Sequence, residues 1–541
     1  MEPLRFSFKN NHFIIYEFLK TLLLVILSAI LCFLSLPNFI VKEGVGLLSF
    51  ISLCPLFIAV YRVKHLFASF FYGLIYAVVY FTLLLSWLYN FHPLALPLVV
   101  TLRSIQYAFI FFALVLSVRV FKHQSWLFLP SVYVALQYLL ECGFLALSYG
   151  NLAYSLYKYP ILIQCVDLFG PFGLLFVEAA ISSALACIFL SKECKKSIVT
   201  ACVIMIVFLL SYGGFRLGQK ENEDVKKEFN VIAVQHNVNS HSIDDSSYIP
   251  ILDSLIDLSN KGLYENPDSS LLIWSETAVV PPVSWYLNHP TKSPYTLSAD
   301  KVVSFSASIP IPLLFGNGDA VLQNTSESKE LSNAKYYNAG VLIDGGRIKQ
   351  KYYKQHLVPF SEYFPYKNIF PKFYDFLVSH DLTFWDKGEE SIVFDIPINK
   401  GKETVKAFTP ICFEDTFAYI SRSGVKNGAE MLINLTNDSW SLSHASQNQH
   451  LSMGVFRSVE NNLPTVRCTN SGATCYISAT GRIKGTLDYF EKGYGVYNVQ
   501  IKNSGHTLYA VLGDILIICF TVAVLTLLLI GCLCAVKKEW F

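Results

Sequence analysis

The sequence predicts a polytopic α-helical membrane protein with an α/β domain inserted before its last span, on three observations. Charged residues make up 15% of the 541-residue chain and hydrophobic ones 53%, where an ordinary soluble protein carries about 25% charged residues. Apolar windows of about 20 residues, the length that crosses a bilayer core, centre near residues 30, 54, 78, 106, 136, 175 and 205, then only near 522. Between Leu217 and Ser504 charges, Asn, Ser and Gly return and apolar runs shorten to strand length. The expected organisation is about eight spans in three regions: 1–217 with seven membrane helices, 218–504 a water-exposed α/β domain, and 505–541 a last span with its tail.

The run from Thr21 to Leu36 is followed by Pro37-Asn38-Phe39 without a small-x-small cleavage site, and Leu31 before Cys32 is too large for lipoprotein processing; it reads as a retained first span. With the N-terminus inside, inner loops carry Arg62 and Lys64, Arg119 and Lys122, then Lys192, Lys195 and Lys196, and the tail adds Lys537 and Lys538. The outer loops offer only Lys42 and Lys158. By the positive-inside rule the α/β domain lies outside the cytoplasmic membrane. Glu141, Asp167 and Glu178 fall within spans, where a carboxylate either pairs structurally or serves function; the structural reading is preferred.

The α/β domain opens with a strand at 229–235, a helix from Tyr248 to Leu258 with Ile249, Leu252, Leu255 and Ile256 at helical spacing, and a strand at 270–274 ending in Ser275-Glu276. Leu313 to Gly316 reads as a further strand. Asp344-Gly345-Gly346 between Val341-Leu342-Ile343 and Arg347-Ile348-Lys349 signals a hairpin, as does Thr480-Gly481-Arg482. Strands at 405–408 and 431–435 follow, and strands interleaved with helices indicate a layered α/β or α+β domain.

Composition also excludes several functions. A net charge of +2 without a basic stripe argues against nucleic acid. No CxxC pair or zinc spacing occurs among the cysteines, and His444 and His450 lack nearby carboxylates in the sequence, so no metal is expected. Gly316-Asn317-Gly318 is too short for a phosphate-binding loop, and no cofactor is expected. Cys468 and Cys475 flank Thr469-Asn470-Ser471-Gly472 and read as core thiols rather than a disulfide.

Three residues capable of acid, base and thiol chemistry stand at strand ends: Glu276, Lys354 and Cys412. Their surroundings are Trp274-Ser275-Glu276-Thr277-Ala278, Tyr353-Lys354-Gln355-His356-Leu357-Val358-Pro359-Phe360-Ser361-Glu362-Tyr363, and Ile411-Cys412-Phe413-Glu414, followed by Leu435-Thr436-Asn437-Asp438-Ser439-Trp440. In order and spacing these stretches resemble the nitrilase (carbon–nitrogen hydrolase) superfamily and, within it, the apolipoprotein N-acyltransferases, which share the arrangement of seven spans, external domain and last span. Ser275 stands where that family often has Pro, and Phe413 where it often has Tyr.

The resemblance implies a nitrilase-like αββα sandwich at 218–504 and a ping-pong acyl transfer. Cys412 would be the nucleophile, Glu276 the general base, and Lys354 with a backbone N–H near Phe413 the oxyanion stabilisers. Glu362 and Glu414 would support Lys354 and Cys412. The implied partners are a phospholipid acyl donor and a diacylated lipoprotein acceptor, and the implied location is a bacterial inner membrane, with the protein a monomer. Aromatic loops at 283–287 and 360–364 are candidate lids. A membrane-tethered amidase and a non-catalytic sensor or transporter are the alternative readings.

Overall fold

The computed structural model describes residues 8–191, 196–239, 244–322, 331–379, 384–503 and 505–537; Lys192, Lys195, Ser504 and Lys538, used above, lie outside them. The chain divides into two compact units, Met1–Gly214 with Asp514–Phe541, and Phe215–Gly513.

Five helices in the described residues are long and apolar enough to cross a membrane: Ile15–Ser35, Ala95–Phe121, Val166–Leu190, Lys196–Glu221 and Ile515–Ala535. The windows near 54, 78 and 136 fall instead on shorter apolar helices, Gly46–Arg62, Ala68–Leu84 and Ser125–Leu140. The first of these is a series of short turns, restarted by Pro55 at the head of Cys54–Arg62. Gly170, at φ +64°, likewise interrupts the helix around Asp167, and Pro171 follows it.

Large apolar side chains such as Leu23, Phe109, Phe189 and Leu529 cover the outside of this unit, while Ser28, Ser52, Gln137, Tyr76 and Tyr133 are buried within it. That polarity is the reverse of a soluble protein's and suits an apolar solvent. Two of the three suspect carboxylates are paired: Glu141 accepts from Asn151 Nδ2 at 2.8 Å and Asp167 from the Tyr212 hydroxyl at 2.7 Å. Both oxygens of the buried Glu178 have no hydrogen-bond partner among the described residues.

Among the described residues the second unit holds twelve strands: β1 (Val225–Gln235), β2 (Ser269–Trp274), β3 (Leu313–Leu322), β4 (Ala334–Asp344), β5 (Arg347–Tyr353), β6 (Val393–Ile398), β7 (Glu403–Phe408), β8 (Met431–Thr436), β9 (Thr465–Thr469), β10 (Cys475–Ile477), β11 (Ile483–Lys484) and β12 (Gly493–Lys502). They form two six-stranded sheets, in the orders β12-β1-β2-β3-β4-β5 and β11-β10-β9-β8-β7-β6. Each has parallel pairs at its centre and antiparallel strands outside. Every residue of β2, β8 and β9 is buried, as continuous apolar runs covered on two faces require.

Alternation assigns those faces. Ile232, Val234, Leu272, Trp274 and Val341 pack with Leu252 and Leu255 of the helix Tyr248–Glu265 and with Val302 and Phe305 of Pro294–Ser308. On the opposite face Gly340 lies against Leu435 and Phe394 of the second sheet. Helices Ala418–Lys426 and His444–Asn461 belong to the second sheet's side. The result is an αββα sandwich. The β4–β5 hairpin forms as expected, with Gly345 at φ +56° and Gly346 at φ +73°, a left-handed pair that matches strand twist.

Within the first unit, Gly73 lets Ala68–Leu84 lie directly on the backbone of Ala95–Phe121, since a Cβ there would overlap the Tyr107 carbonyl oxygen and approach Ala108 Cα at 2.7 Å. Gly73→Val should therefore cost about 1–3 kcal/mol and lower the thermal unfolding midpoint in detergent, while leaving the fluorescence of the α/β unit unchanged before the transition.

Candidate active site

Glu276, Lys354 and Cys412 follow the C-terminal ends of β2, β5 and β7, and they converge. Glu276 is buried at the foot of a tight turn in which Thr277 adopts φ +46°. Gly316 makes room for that turn: a Cβ there would stand 2.5 Å from Glu276 Cα. The carboxylate is fixed at each oxygen. Oε1 accepts from Asn338 Nδ2 at 2.8 Å and from Lys354 Nζ at 3.4 Å, and Oε2 accepts from the Asn437 backbone N–H at 2.8 Å.

Lys354 is wholly buried. Its ammonium donates to Glu362 Oε1 at 2.7 Å as well as to Glu276. Glu362 is held in turn by the Val358 N–H on Oε2, at 2.8 Å. Burial by itself would depress the Lys354 pKa, but Glu362 and Glu276 outweigh it and hold the ammonium above its ordinary value. Two carboxylates thus share one cation. Burial and the second carboxylate push Glu276 above the usual range, against the pull of Lys354.

Cys412 is half-buried and takes φ +49°, a left-handed conformation that is uncommon outside glycine. It opens a short 3₁₀ turn, Cys412–Thr416. Burial raises its thiol well above the ordinary value, Glu276 adds to the rise and Lys354 opposes it. The resting group is therefore a thiol, not a free thiolate.

Glu414 ties these pieces together. Its Oε2 accepts from the Ile411 N–H at 2.8 Å, next to Cys412. Its Oε1 accepts from the N–H groups of Gln355 at 2.6 Å and His356 at 3.0 Å, next to Lys354, and from the Tyr352 hydroxyl at 2.9 Å. One buried carboxylate thus locks the end of β5 to the turn after β7. Burial pushes Glu414 up to about 7 against these donors. Phe413 makes an edge contact with Phe417, ring centroids 4.9 Å apart.

Two expectations need correction. Segment 283–287 is not a free lid: it lies in the helix Val283–Asn288, with Val283, Trp285 and Tyr286 in the apolar core. Segment 360–364 is different, because Phe360 is exposed, as are Ile369 and Phe370 beyond it. His450, without acidic neighbours in the sequence, has two in the fold, Asp415 at 2.6 Å and Asp438 at 2.8 Å. No metal-holding group of His, Cys, Asp and Glu occurs among the described residues. Cys468 and Cys475 are free and buried.

The sequence reading also missed Asn338 and Asn437, whose donors hold Glu276. An Asn inside the apolar strand β4 was a usable signal, since a buried amide must find partners. Asn437 acts through its backbone, which no side-chain pattern reveals.

A carbon-nitrogen hydrolase model matches residues 317–508, and a model of the apolipoprotein N-acyltransferase N-terminal domain matches 28–185. Lys354, Glu362 and Cys412 to Glu414 fall inside the first match, and Glu276 precedes it. The chain is 36% identical to an apolipoprotein N-acyltransferase 1 of Treponema denticola, over 96% of this chain and 97% of that protein. It is 32% identical to one of Treponema pallidum, over 94% and 95%. Among solved structures, Nit3 of Saccharomyces cerevisiae, a nitrilase-superfamily member, aligns with 54% of this chain and 95% of its own, at 16% identity and a TM-score of 0.35.

Removing the Glu414 carboxylate leaves several buried donors unpaired at about 1–3 kcal/mol each. Glu414→Ala should lower the unfolding midpoint of the α/β unit well below wild type. Glu414→Gln, which keeps one acceptor oxygen, should fall between them in a thermal melt followed by tryptophan fluorescence.

Proposed function

Since the chain belongs to the apolipoprotein N-acyltransferase family, we propose that it moves a fatty acyl chain from a phospholipid to the N-terminal amine of a diacylglyceryl-cysteine apolipoprotein. The observation that carries this reading is the buried Lys354 ammonium between Glu276 and Glu362, beside a thiol poised on a left-handed turn. That set of groups suits acyl transfer through a thioester.

In the first half-reaction Glu276 takes the Cys412 proton as Sγ attacks the ester carbonyl of the phospholipid. Negative charge gathers on the carbonyl oxygen, and Lys354 Nζ, kept charged by its two carboxylates, stabilises it in a site of low dielectric. The C–O bond breaks, Glu276 returns the proton to the leaving alkoxide, and a lysophospholipid departs from the Cys412 thioester. In the second half the neutral lipoprotein amine attacks the thioester and forms an amide. Glu276 relays the amine proton to the departing sulfur. The raised Glu276 pKa suits a group that must accept and return a proton in each half.

The surroundings support a lipid substrate. Phe360, Ile369 and Phe370 expose apolar surface on the segment that carries Glu362, and the other unit presents an apolar exterior. We take the chain to cross the inner membrane about eight times, counting the three shorter helices as spans, with the α/β domain on the outer side according to loop charge. Every group named comes from one chain, so a monomer suffices.

Purified protein in detergent, given phospholipid and a diacylglyceryl-cysteine lipopeptide, should add one acyl mass to the peptide amine, and Cys412→Ser should abolish the gain. Omitting the peptide should leave an acyl mass on Cys412 that hydroxylamine removes. If the intact protein instead released ammonia from small amides and never acylated the peptide, the tethered amidase would replace this reading. Because Glu276 must be ionised to accept the proton and its pKa is raised, the acid limb of the rate of Cys412 acylation should lie above pH ~4.3, the ordinary value for Glu. A limb at or below that pH would remove Glu276 from the role of base.

A further inference from the structure

Beneath the Cys412 turn lies a buried set of charges that the transfer chemistry does not use directly. His450, on the helix His444–Asn461, is 1% exposed; Asp415, Asp438 and Arg467 are 1–3% exposed. His450 Nε2 stands 2.6 Å from Asp415 Oδ1 and 3.2 Å from the Cys412 carbonyl oxygen, and Nδ1 stands 2.8 Å from Asp438 Oδ2. Arg467, from β9, bridges the same carboxylates, at 2.5 Å to Asp415 and 3.3 Å to Asp438. Asn434 Oδ1 takes another Arg467 N–H at 2.9 Å and its Nδ2 donates to the Pro410 carbonyl at 3.1 Å, which extends the set to the strand end before Cys412.

Protonation follows from this geometry. An ionised carboxylate only accepts hydrogen bonds. Nδ1 faces the Asp438 carboxylate and Nε2 the Cys412 carbonyl oxygen, both acceptors only, with Asp415 Oδ1 alongside Nε2, and the Arg467 guanidinium contacts the same two carboxylates. Each nitrogen must then carry hydrogen, so the ring is an imidazolium. Two carboxylates, one guanidinium and one imidazolium sum to zero. Without the imidazolium charge the quartet would carry one net negative charge directly under the thiol.

We infer that His450 is a positioning residue for the nucleophile: as an imidazolium it ties the Cys412 carbonyl into its left-handed turn and, with Arg467, cancels Asp415 and Asp438, so that this quartet adds no net charge against anion formation on Cys412. This rests on Cys412 being the nucleophile. Two further observations agree with it. Asp415 and Asp438, outweighing burial, raise His450 to about 9, so the charge persists through neutral pH. Asp438 is also among the groups that oppose the Cys412 thiolate, alongside Glu276 and Glu362, with Lys354 acting the other way. Arg457, on the same helix as His450, reinforces the ionised state of Asp415.

Reaction of Cys412 with iodoacetamide in the full-length protein, without lipid, tests the charge balance. The rate at Cys412 is read by peptide mass spectrometry between pH 6 and 10. His450→Gln keeps a donor but leaves a net negative quartet; it should slow Cys412 at pH 8 by about tenfold and move its alkylation profile up by about one pH unit. Adding Asp438→Asn restores neutrality and should recover at least half of that loss on a logarithmic scale. Asp438→Asn alone makes the quartet net positive and should speed alkylation; it serves as the deciding variant if His450→Gln does not fold. An unchanged rate in His450→Gln, a double variant slower than either single one, or no acceleration in Asp438→Asn would overturn the inference. Alkylation needs no acyl donor or acceptor, so failure of acyl transfer to the lipopeptide would count against the proposed function and leave this result standing.

Discussion

The site depends first on one carboxylate that need not touch substrate. Glu414 accepts donors from Ile411 on one side and from Tyr352, Gln355 and His356 on the other. Lys354 comes from the first sheet and Cys412 from the second, and nothing in the covalent chain keeps them together. A buried charge is tolerated only where its lone pairs are filled. Glu414 is filled only when the two strand ends are in register, so the arrangement that suits the carboxylate is also the one that brings ammonium and thiol together.

The same logic recurs at each neighbouring group. Glu276 is held by Asn338 from β4 and by the backbone after β8. Lys354 is held by two acids, and His450 with Arg467 by two more. These are charge-paired polar networks at the ends of sheets whose interiors are apolar, with Asn338 Oδ1, Asp415 Oδ1 and Arg467 Nε lacking a hydrogen-bond partner among the described residues. They define geometry, because losing any one member would leave its buried partners unpaired. The left-handed Cys412 and the crowded Glu276–Gly316 contact are strained or close-packed features that this surrounding order can hold in place.

Much of this was legible in the sequence, for physical reasons. Strands β2 and β8 announce themselves because burial on two faces demands unbroken apolar runs. The Asp344-Gly345-Gly346 hairpin does so because only certain residues accept a positive φ. Glu276, Lys354 and Cys412 could be singled out because each is a reactive group beyond the end of a strand. What could not be read depends on long-range partners. His450 gains Asp415 and Asp438 from segments 35 and 12 residues away. Asn437 contributes a main-chain N–H, and the aromatic run at 283–287 folds inward because Val283, Trp285 and Tyr286 fit the core under the helix Pro294–Ser308. In the membrane unit composition located the apolar windows, but Pro55 and Gly170 shorten or break helices that hydropathy alone draws as continuous.

The order of strands in the first sheet has a consequence for biosynthesis. β1, the first strand made, lies between β2 and β12, the last. Until residues 493–502 have left the ribosome, β1 presents an unpaired edge, the kind of surface that recruits other chains. The sandwich therefore closes only once its last strand is available, as a domain that folds as a unit does. A nascent chain stopped short of β12 has its thiol, acid and lysine already made, yet one margin of the sheet that bears Glu276 and Lys354 is still open. Completion of the fold is thereby coupled to completion of the polypeptide, and truncated products become substrates for chaperones and proteases.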